Sequence, residues 1–410
     1  MRLTNSIFIF LHFFIPNNVL GQSSYTLIKK KHIPPYNVTN TFSFYQTISS
    51  FHSTYFNGVI IVGSDTLNSK IQITKVKYND SSSIEDYYFV AFPEILKSKA
   101  KDGSLLINNC YEVNKNTFQV LFENCILVTF IFKKNKFKIV DIIDLEKKLS
   151  SGFSYLYKCG DYYTGFNKII LGKCLVNKID TPELFLFDKN FKIINSTKIP
   201  QFETSFLTFG GTKYLDFCKD KLLICSPTNF SFGVFDFNSL TYNSYDLKNI
   251  KNFNLQKIDS TLDHSIKSIF SGALYGDRLG AYLKLRNDSF NFIKKCYFSG
   301  KDEIELLISI SKKGHHSMQL SKLKINPKLT YKLIDTNIYS INRNKIITKF
   351  DYPFDPYQMS FEINNSYIIA YGYDFWNENL IGKKIVDFND KKYFSDDRNR
   401  KFKYYILRRN

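Results

Sequence analysis

A short motif that recurs along the chain constrains its fold more than any other feature of the sequence. In each copy, two or three alternating apolar residues precede a polar turn of about four residues, and alternating apolar residues follow the turn. A period of two on both sides of a turn-forming cluster is typical of a β-hairpin. The clear copies are Phe130–Ile139, Phe185–Ile193, Val234–Tyr242, Tyr282–Phe292 and Leu323–Tyr331.

The spacing of these hairpins predicts the architecture. The clear copies are centred about 40 to 55 residues apart, which is the spacing of four-stranded blades in a β-propeller. Weaker copies lie at residues 65–73 and 386–394, and strand-like runs such as Lys221–Cys225 and Tyr367–Tyr371 can supply inner strands. We therefore expect an all-β chain folded as a β-propeller, with seven blades favoured and six as the alternative. A two-sheet sandwich or a multi-domain β protein also fits the pattern.

One hairpin carries a resemblance to a known group of proteins. The turn Asp188-Lys189-Asn190, followed by an extended exit that ends at Pro200, resembles the outer hairpins of TolB-like and related six- to seven-bladed β-propeller proteins of the bacterial, Bacteroidetes-type envelope. The resemblance extends from about residue 55 onward and implies a secreted or envelope propeller. The run Val59–Gly63 is also similar to the start of a semaphorin-type seven-bladed ectodomain. A propeller fold alone implies no activity.

The first 21 residues have the pattern of a secretory signal peptide. Arg2 supplies the positive charge, Ile7–Ile15 is an almost unbroken apolar run, and Gly21 ends a plausible cleavage site. A buried N-terminal strand or a signal anchor is the alternative. No later apolar run reaches 18 residues, so we expect a secreted or periplasmic protein without a transmembrane segment after cleavage. The expected organisation is signal peptide 1–21, partly extended segment 22–54, β-propeller 55–396, and basic C-terminal tail or closing strand 397–410.

Composition fits a folded, basic protein. Hydrophobic residues make up 44% of the 410 residues and charged residues 23%, which argues against disorder along most of the chain. Short helical turns are expected near Phe92–Ala100 and Asp144–Ser150. The net charge of +19 is scattered, and its densest stretches, Lys29–Lys31 and Arg398–Arg409, lie near the termini. Solvated faces explain such a pattern, and an acidic glycan partner is an alternative. We expect no specific nucleic-acid partner, and a monomer.

The chain contains seven cysteines, so at least one of them has no cysteine partner within the chain. The first six form three local pairs, and in an oxidising compartment each pair could join neighbouring strands by a disulfide. Buried thiols that pack as small apolar side chains are the alternative. The candidate pairs are Cys110 with Cys125, Cys159 with Cys174, and Cys218 with Cys225; Cys296 is the seventh.

No catalytic or metal-binding motif stands out in the sequence. We therefore predict no catalytic residue, no metal site and no cofactor. His315 and His316 are adjacent and would face opposite ways on a strand, so a solvated turn is the expected role. Asp263-His264-Ser265 has the residue types of a catalytic triad, but consecutive residues cannot form its relay. The acidic residues Asp387, Asp390, Asp396 and Asp397 lack the spacing of an EF-hand loop, and the glycines of Gly272–Gly280 open no helix.

An aromatic group near the C-terminus is the remaining candidate for partner binding. Alternation places Tyr371, Tyr373 and Phe375 on one strand face, with Trp376 next to them. Exposed, the face could stack on a sugar or a protein; packed, it belongs to the core. The sequence therefore predicts a non-enzymatic binding propeller for a protein or glycan partner. A hydrolase- or lyase-type propeller enzyme with a carboxylate or metal site at the central channel is the alternative.

Overall fold

A computed structural model gives the fold of the parts of the chain that can be described. These are residues 25–33, 48–65, 69–78, 86–99, 105, 107–122, 125–149, 153–159, 162–167, 183–198, 215–218, 220–226, 231–247, 290–312, 315–325, 330–342, 345–348, 360–373 and 402–409. They form 25 strands and two short helices, so the all-β prediction is confirmed.

The strands form six antiparallel sheets, numbered here I to VI, and the first three follow one another in the chain. Sheet I contains β2 (Ile48–Ser53), β3 (Gly58–Asp65), β4 (Lys70–Lys77) and β5 (Asp86–Ala91). Sheet II contains β6 (Ile107–Asn114), β7 (Thr117–Phe122), β8 (Ile126–Lys133) and β9 (Lys136–Asp144). Sheet III contains β10 (Phe153–Cys159), β11 (Tyr162–Asn167), β12 (Glu183–Phe187) and β13 (Ile193–Lys198).

The other three sheets complete the fold. Sheet IV contains β14 (Leu215–Cys218), β15 (Lys221–Ser226), β16 (Ser231–Asp236) and β17 (Thr241–Asp246). Sheet V contains β18 (Phe290–Gly300), β19 (Glu303–Lys312), β20 (His315–Lys324), β21 (Thr330–Asn342) and β22 (Lys345–Thr348). Sheet VI joins β1 (Tyr25–Ile33) to β23 (Ser360–Ile363), β24 (Tyr367–Tyr373) and β25 (Phe402–Arg409).

Four of the predicted hairpins occupy the same place in their sheets. The hairpins at 130–139, 185–193, 234–242 and 323–331 each join the third strand of a sheet to its fourth. The weaker copy at 65–73 joins β3 to β4, the second and third strands of sheet I. The copies at 282–292 and 386–394 lie wholly or mostly outside the described residues. In the four-stranded sheets II, III and IV, the recurring motif is therefore the outer hairpin.

Each sheet packs against the sheets before and after it, as the blades of a β-propeller do. Strand β2 contacts β6, β6 contacts β10, and β14 contacts β18. Leu184 of sheet III packs with Leu222 of sheet IV in one apolar cluster. Lys295 of sheet V bonds to Glu362 of sheet VI, and β23 contacts β2 of sheet I, which completes the ring of contacts. The β-propeller prediction is confirmed, while the prediction of seven blades stays a prediction.

The ends of the chain meet in sheet VI. Strand β1 pairs with β25 from Tyr25 opposite Arg409 to Ile33 opposite Phe402, and β25 pairs with β24 on its other side. Strand β2 already belongs to sheet I, so the first sheet begins at Ile48 and not at the expected residue 55. Part of the basic C-terminal segment is the strand β25.

The core lies mainly between sheets. One cluster joins sheets I and II through side chains such as Ile60, Val62, Phe118 and Phe130. The two helices, α1 (Glu94–Lys99) and α2 (Leu145–Leu149), follow β5 and β9 at the places where helical turns were expected. Neither of these described helices has the length and apolar character needed to cross a membrane.

Candidate functional site

A group of polar side chains lies buried where sheets V, VI and I meet. All but one of these side chains come from the strand at one edge of a sheet or from the strand next to it, and the remaining one, Tyr78, follows β4. Their hydrogen bonds and ion pairs connect all three sheets. The group, called the seam cluster below, consists of Ser50, His52, Tyr78, Lys295, Glu362 and Tyr371.

The carboxylate of Glu362 is the centre of the seam cluster. Ser50 Oγ donates a hydrogen bond to Glu362 Oε1 at 2.5 Å, and Lys295 Nζ lies 2.7 Å from Glu362 Oε2. Lys295 Nζ also donates to the carbonyl oxygen of Phe361 at 2.8 Å. Glu362 is 3% exposed and Lys295 5%. A buried charge is tolerated when it is paired and hydrogen-bonded, and each charge here has the other as its partner.

An aromatic and imidazole layer lies against this ion pair. Tyr371 donates from its hydroxyl to Ser50 Oγ at 2.5 Å, and the Tyr78 hydroxyl bonds to His52 Nδ1. His52 Nε2 lies 3.6 Å from Glu362 Oε2. Burial raises the pKa of the Tyr78 phenol well above its ordinary value, and the negative charge of Glu362 raises it further. The phenol is therefore neutral and serves as a hydrogen-bonding group.

The seam cluster has residue types found in acyl-transfer sites, but its geometry favours a structural role. A nucleophilic serine needs a base that takes its proton and an approach path for substrate. The hydroxyl of Ser50 points at a carboxylate whose charge Lys295 neutralises, and Ser50 is 0% exposed. His52, whose side chain is 27% exposed, is the member of the cluster with the greatest contact with solvent among those with a described exposure.

Two further carboxylates connect neighbouring sheets. Arg409 of β25 forms a bidentate pair with the buried Glu305 of β19, with N–O distances of 2.9 and 3.1 Å. Tyr297 donates from its hydroxyl to the same carboxylate. Glu112 of sheet II accepts hydrogen bonds from Ser53 Oγ at 2.6 Å and from Thr54 Oγ1 at 2.8 Å in sheet I. These acidic side chains hold sheets together.

The turns of sheets I and II carry a group of exposed lysines and one exposed tyrosine. Tyr55, in the turn between β2 and β3, is 39% exposed, and Lys115 Nζ lies 5.6 Å from the centre of its ring. Phe132 N donates to the carbonyl oxygen of Asn116 at 2.8 Å, which ties the β6–β7 turn to the β8–β9 turn. The exposed side chains of this surface, called the lysine patch below, are Tyr55, Lys115, Lys133, Lys134 and Lys136.

A buried lysine supports the patch from below. Lys75 of β4 is paired with Asp86, and its ammonium lies 5.1 Å from the ring centre of Phe56 and 5.0 Å from that of Phe132. Cation–π contacts of this kind contribute more when they are desolvated. The two rings also pack edge to face at 5.2 Å, so the turns that carry the patch rest on a fixed aromatic layer.

The β8–β9 turn differs from the corresponding turns of sheets III and IV. There, Asp188 Oδ1 accepts bonds from the amides of Asn190 and Lys192, and Asp236 Oδ1 from those of Asn238 and Ser239. These amides also lower the pKa of Asp236. The β8–β9 turn has lysines and no acid, and its central residues, Lys134 and Asn135, have φ of 53° and 56°.

The predicted aromatic group is only partly described. Tyr371 is 3% exposed and packs with Ile369 and Tyr404 between sheets VI and I, so its ring does not lie on the surface. Tyr373 ends β24. Phe375 and Trp376 lie outside the described residues. A role of Tyr373, Phe375 and Trp376 in partner binding stays a prediction.

The cysteines at 110, 125, 218, 225 and 296 are thiols in the structure. Cys218 faces Lys221 across the β14–β15 hairpin, so Cys225 lies four residues further along, about 13 Å away at the rise of a strand. A disulfide needs a Cα separation of about 4.4 to 6.8 Å, so this register does not bring the predicted Cys218–Cys225 pair together. Cys225 packs instead with Cys296 of sheet V.

The other predicted cysteine pairs have different outcomes. Cys110 lies opposite Val120 in sheet II and belongs to a different apolar cluster from Cys125, so the register does not bring these two together either. Cys159 ends β10, and Cys174 lies outside the described residues, so their pairing stays a prediction.

The structure describes the paired histidines but not the acidic candidates. His315 and His316 open the strand β20 and do not form the expected turn. Residues 263–265, 272–280 and 387–397 lie outside the described residues. Among the residues that the structure describes, no group of three or more His, Cys, Asp or Glu side chains could hold a metal ion.

Sequence reasoning missed Glu362 and Lys295. Each charged residue interrupts an apolar strand, in Phe361-Glu362-Ile363 and in Ile293-Lys294-Lys295-Cys296. A charge within an apolar strand was the sequence signal that could have indicated a buried ion pair. Their partners come from distant parts of the chain, so the pairing itself had no local signature.

The comparisons with known proteins found similar solved structures but no related sequence family. No protein-family model matches the sequence, and no curated protein matches it at a significant level. A protein of Bacteroides fragilis NCTC 9343 assigned as exported aligns over 95% of this chain and 96% of its own, with 10% identity and a TM-score of 0.48. A luciferin-regenerating enzyme aligns over 88% and 92%, with 10% identity and a TM-score of 0.42. The N-terminal domain of Nup159 aligns over 93% and 94%, with 10% identity and a TM-score of 0.36.

Proposed function

We propose that this chain is an exported, non-enzymatic β-propeller that binds a protein or glycan partner through the exposed turns of sheets I and II. One observation carries the proposal. The buried Glu305 and Glu362 and the half-buried Glu112 are bonded to neighbouring sheets, whereas the turn lysines are exposed. Rigid scaffolds with side chains presented on their loops are typical of binding proteins.

Export rests on the signal-peptide pattern of residues 1–21. If the signal is cleaved where the sequence indicates, N-terminal sequencing of the protein recovered from the periplasm or medium will begin at Gln22. Recovery of the chain in the cytoplasm with Met1 intact would contradict export.

A blocking experiment tests the binding surface. Asn135→Cys places a reactive thiol in the lysine patch, and Ser98→Cys places one in α1, which follows β5 at the opposite end of sheet I from the turn at 54–57. Each variant is labelled with a bulky polyethylene glycol maleimide and sedimented with the insoluble envelope fraction of the producing organism. We expect the label at 135 to reduce sedimentation and the label at 98 to leave it unchanged. Equal sedimentation of the two labelled proteins would count against binding through the turns.

The enzymatic alternative is motivated by the meeting of Ser50, His52 and Glu362 from two sheets. If Ser50 were a nucleophile, a fluorophosphonate probe would label the wild-type protein and not Ser50→Ala. The burial of Ser50 and the ion pair of Glu362 with Lys295 favour the opposite result, with no labelling of either protein.

A further inference from the structure

We infer that the lysine patch binds an acidic polysaccharide, a linear polymer that carries carboxylate or sulfate groups. The inference rests on the proposed function and names the chemical class of the partner for the same surface. Its starting point is the concentration of cationic side chains on two adjoining turns, with Lys133, Lys134 and Lys136 on one and Lys115 on the other.

The β8–β9 turn departs from its counterparts in sheets III and IV. The turns of sheets III and IV hold their backbone amides with Asp188 and Asp236, which also offsets nearby positive charge. The β8–β9 turn is held by the left-handed conformation of Lys134 and Asn135. A lysine is an unfavourable residue for this conformation, which Gly, Asn and Asp adopt at lower cost. The strain is explained if the charge itself is needed at this position.

The charges of the lysine patch are available to a ligand. The acidic side chains next to the patch are engaged: Asp86 is paired with Lys75, and Glu112 accepts hydrogen bonds from Ser53 and Thr54. The ammonium groups of Lys133, Lys134 and Lys136 are exposed, and no ion pair is recorded for them among the residues that the structure describes. Clustered lysines in this state create a positive potential that attracts an anionic polymer.

The side chains of the lysine patch indicate the chemical class of its partner. Protein interfaces have an apolar centre of several hundred Å² and are depleted in lysine. The lysine patch has one exposed aromatic ring, that of Tyr55, and the ammonium of Lys115 lies 5.6 Å from its centre. Lysine binds anions as a point charge on a flexible stem, which suits a polymer with charges at varied positions. Because the proposed setting is outside the cytoplasm, the polymer of matching chemistry is a uronate- or sulfate-bearing glycan.

The test uses heparin as the immobilised probe and uncharged dextran as its control. Lys133→Gln with Lys136→Gln removes two charges from the patch. Lys189→Gln with Lys192→Gln removes two exposed charges from the corresponding hairpin of sheet III, so both proteins have the same net charge. The sheet III turn lies elsewhere, since its Phe191 packs under Lys148 of α2. Thermal unfolding of both variants verifies that each is folded.

We expect the wild-type protein to bind heparin at physiological salt and not to bind dextran. The patch variant should bind at least about tenfold more weakly, since each lysine near an anionic surface contributes on the order of 1 kcal/mol. Its plot of log affinity against log salt should lose about two units of slope, while the sheet III variant changes less than about twofold. Equal loss in the two variants would show that net charge alone acts, and would overturn the inference. Sedimentation of the wild type with the envelope fraction without heparin binding would overturn the inference and leave the proposed function standing.

Discussion

Lys295 Nζ lies 2.7 Å from Glu362 Oε2, in a pair that is almost fully buried between sheets V and VI. Removing one partner of such a pair leaves an uncompensated charge in the protein interior. We expect Lys295→Met to lower the free energy of unfolding by about 3 to 5 kcal/mol. Urea denaturation monitored by circular dichroism measures the change.

Two matched variants make this prediction specific. Lys322→Met removes one partner of the Lys322–Glu303 pair, in which both side chains are about one-third exposed, and should cost less than about 1 kcal/mol. The double variant Lys295→Met with Glu362→Gln should recover part of the loss, because the amide oxygen can still accept from Ser50. A cost for Lys295→Met no larger than that for Lys322→Met would contradict the role of the buried pair.

Arg409 holds the last strand to its neighbour in the ring. Its guanidinium bonds to both oxygens of Glu305 and to the carbonyl oxygen of Asn364 at 3.1 Å. We expect Arg409→Met to destabilise the protein by about 2 to 4 kcal/mol, because Glu305 is buried. Amide hydrogen exchange should also rise in β1 and β25. The exposed Lys324 of β20 is the control, and Lys324→Met should change stability by less than about 0.5 kcal/mol. Similar effects of the two substitutions would show that the Glu305 contact does not fasten the strand.

The outer hairpins were predictable from the sequence, whereas the seam cluster was not. A hairpin such as Phe130–Ile139 has both strands and the turn within a few residues, so local alternation is enough to indicate it. Ser50 and Glu362 are separated by 312 residues, and their contact depends on the closure of the ring. A solvated turn was also predicted at His315 and His316, but pairing with β19 and β21 places them in a strand.

The ring of contacts gives an expectation for the number of blades. Asp216 of β14 accepts a bond from Phe298 N of β18 at 2.6 Å, so sheets IV and V are direct neighbours. The six sheets that the structure describes therefore form a ring of neighbours. We therefore expect six blades, the alternative that the hairpin spacing allowed. A crystal structure of the mature protein measures this directly, and a further four-stranded sheet between β14 and β18 would contradict it.

We expect the buried phenol of Tyr78 to make the folded protein less stable at alkaline pH. Burial raises its pKa in the folded protein above the ordinary value of 10.0, so the unfolded chain releases the phenol proton at a lower pH than the folded chain does. The stabilising contribution is complete below pH 10 and declines as the pH rises above it, since the unfolded state then binds fewer protons. We expect the free energy of unfolding to fall less steeply above pH 10 in Tyr78→Phe than in the wild type. Tyr55→Phe, at an exposed position, should follow the wild-type curve, and a Tyr78→Phe curve parallel to it would contradict the assignment.

We expect substitution of Lys134 by asparagine to have opposite effects on stability and on heparin binding. Its φ of 53° places a lysine where the two-residue turn favours asparagine, which already occupies position 135. Lys134→Asn should therefore raise the free energy of unfolding by about 0.5 to 1 kcal/mol, measured by urea denaturation, because the unfavourable conformation is relieved. The reciprocal change, Asn135→Lys, should lower it by a similar amount. Heparin binding should weaken in Lys134→Asn although the protein is more stable, because one ammonium group of the patch is lost. If Lys134→Asn raised stability and left heparin binding unchanged, Lys134 would have no role in binding. If Lys134→Asn lowered stability, the backbone conformation at position 134 would not be strained by lysine.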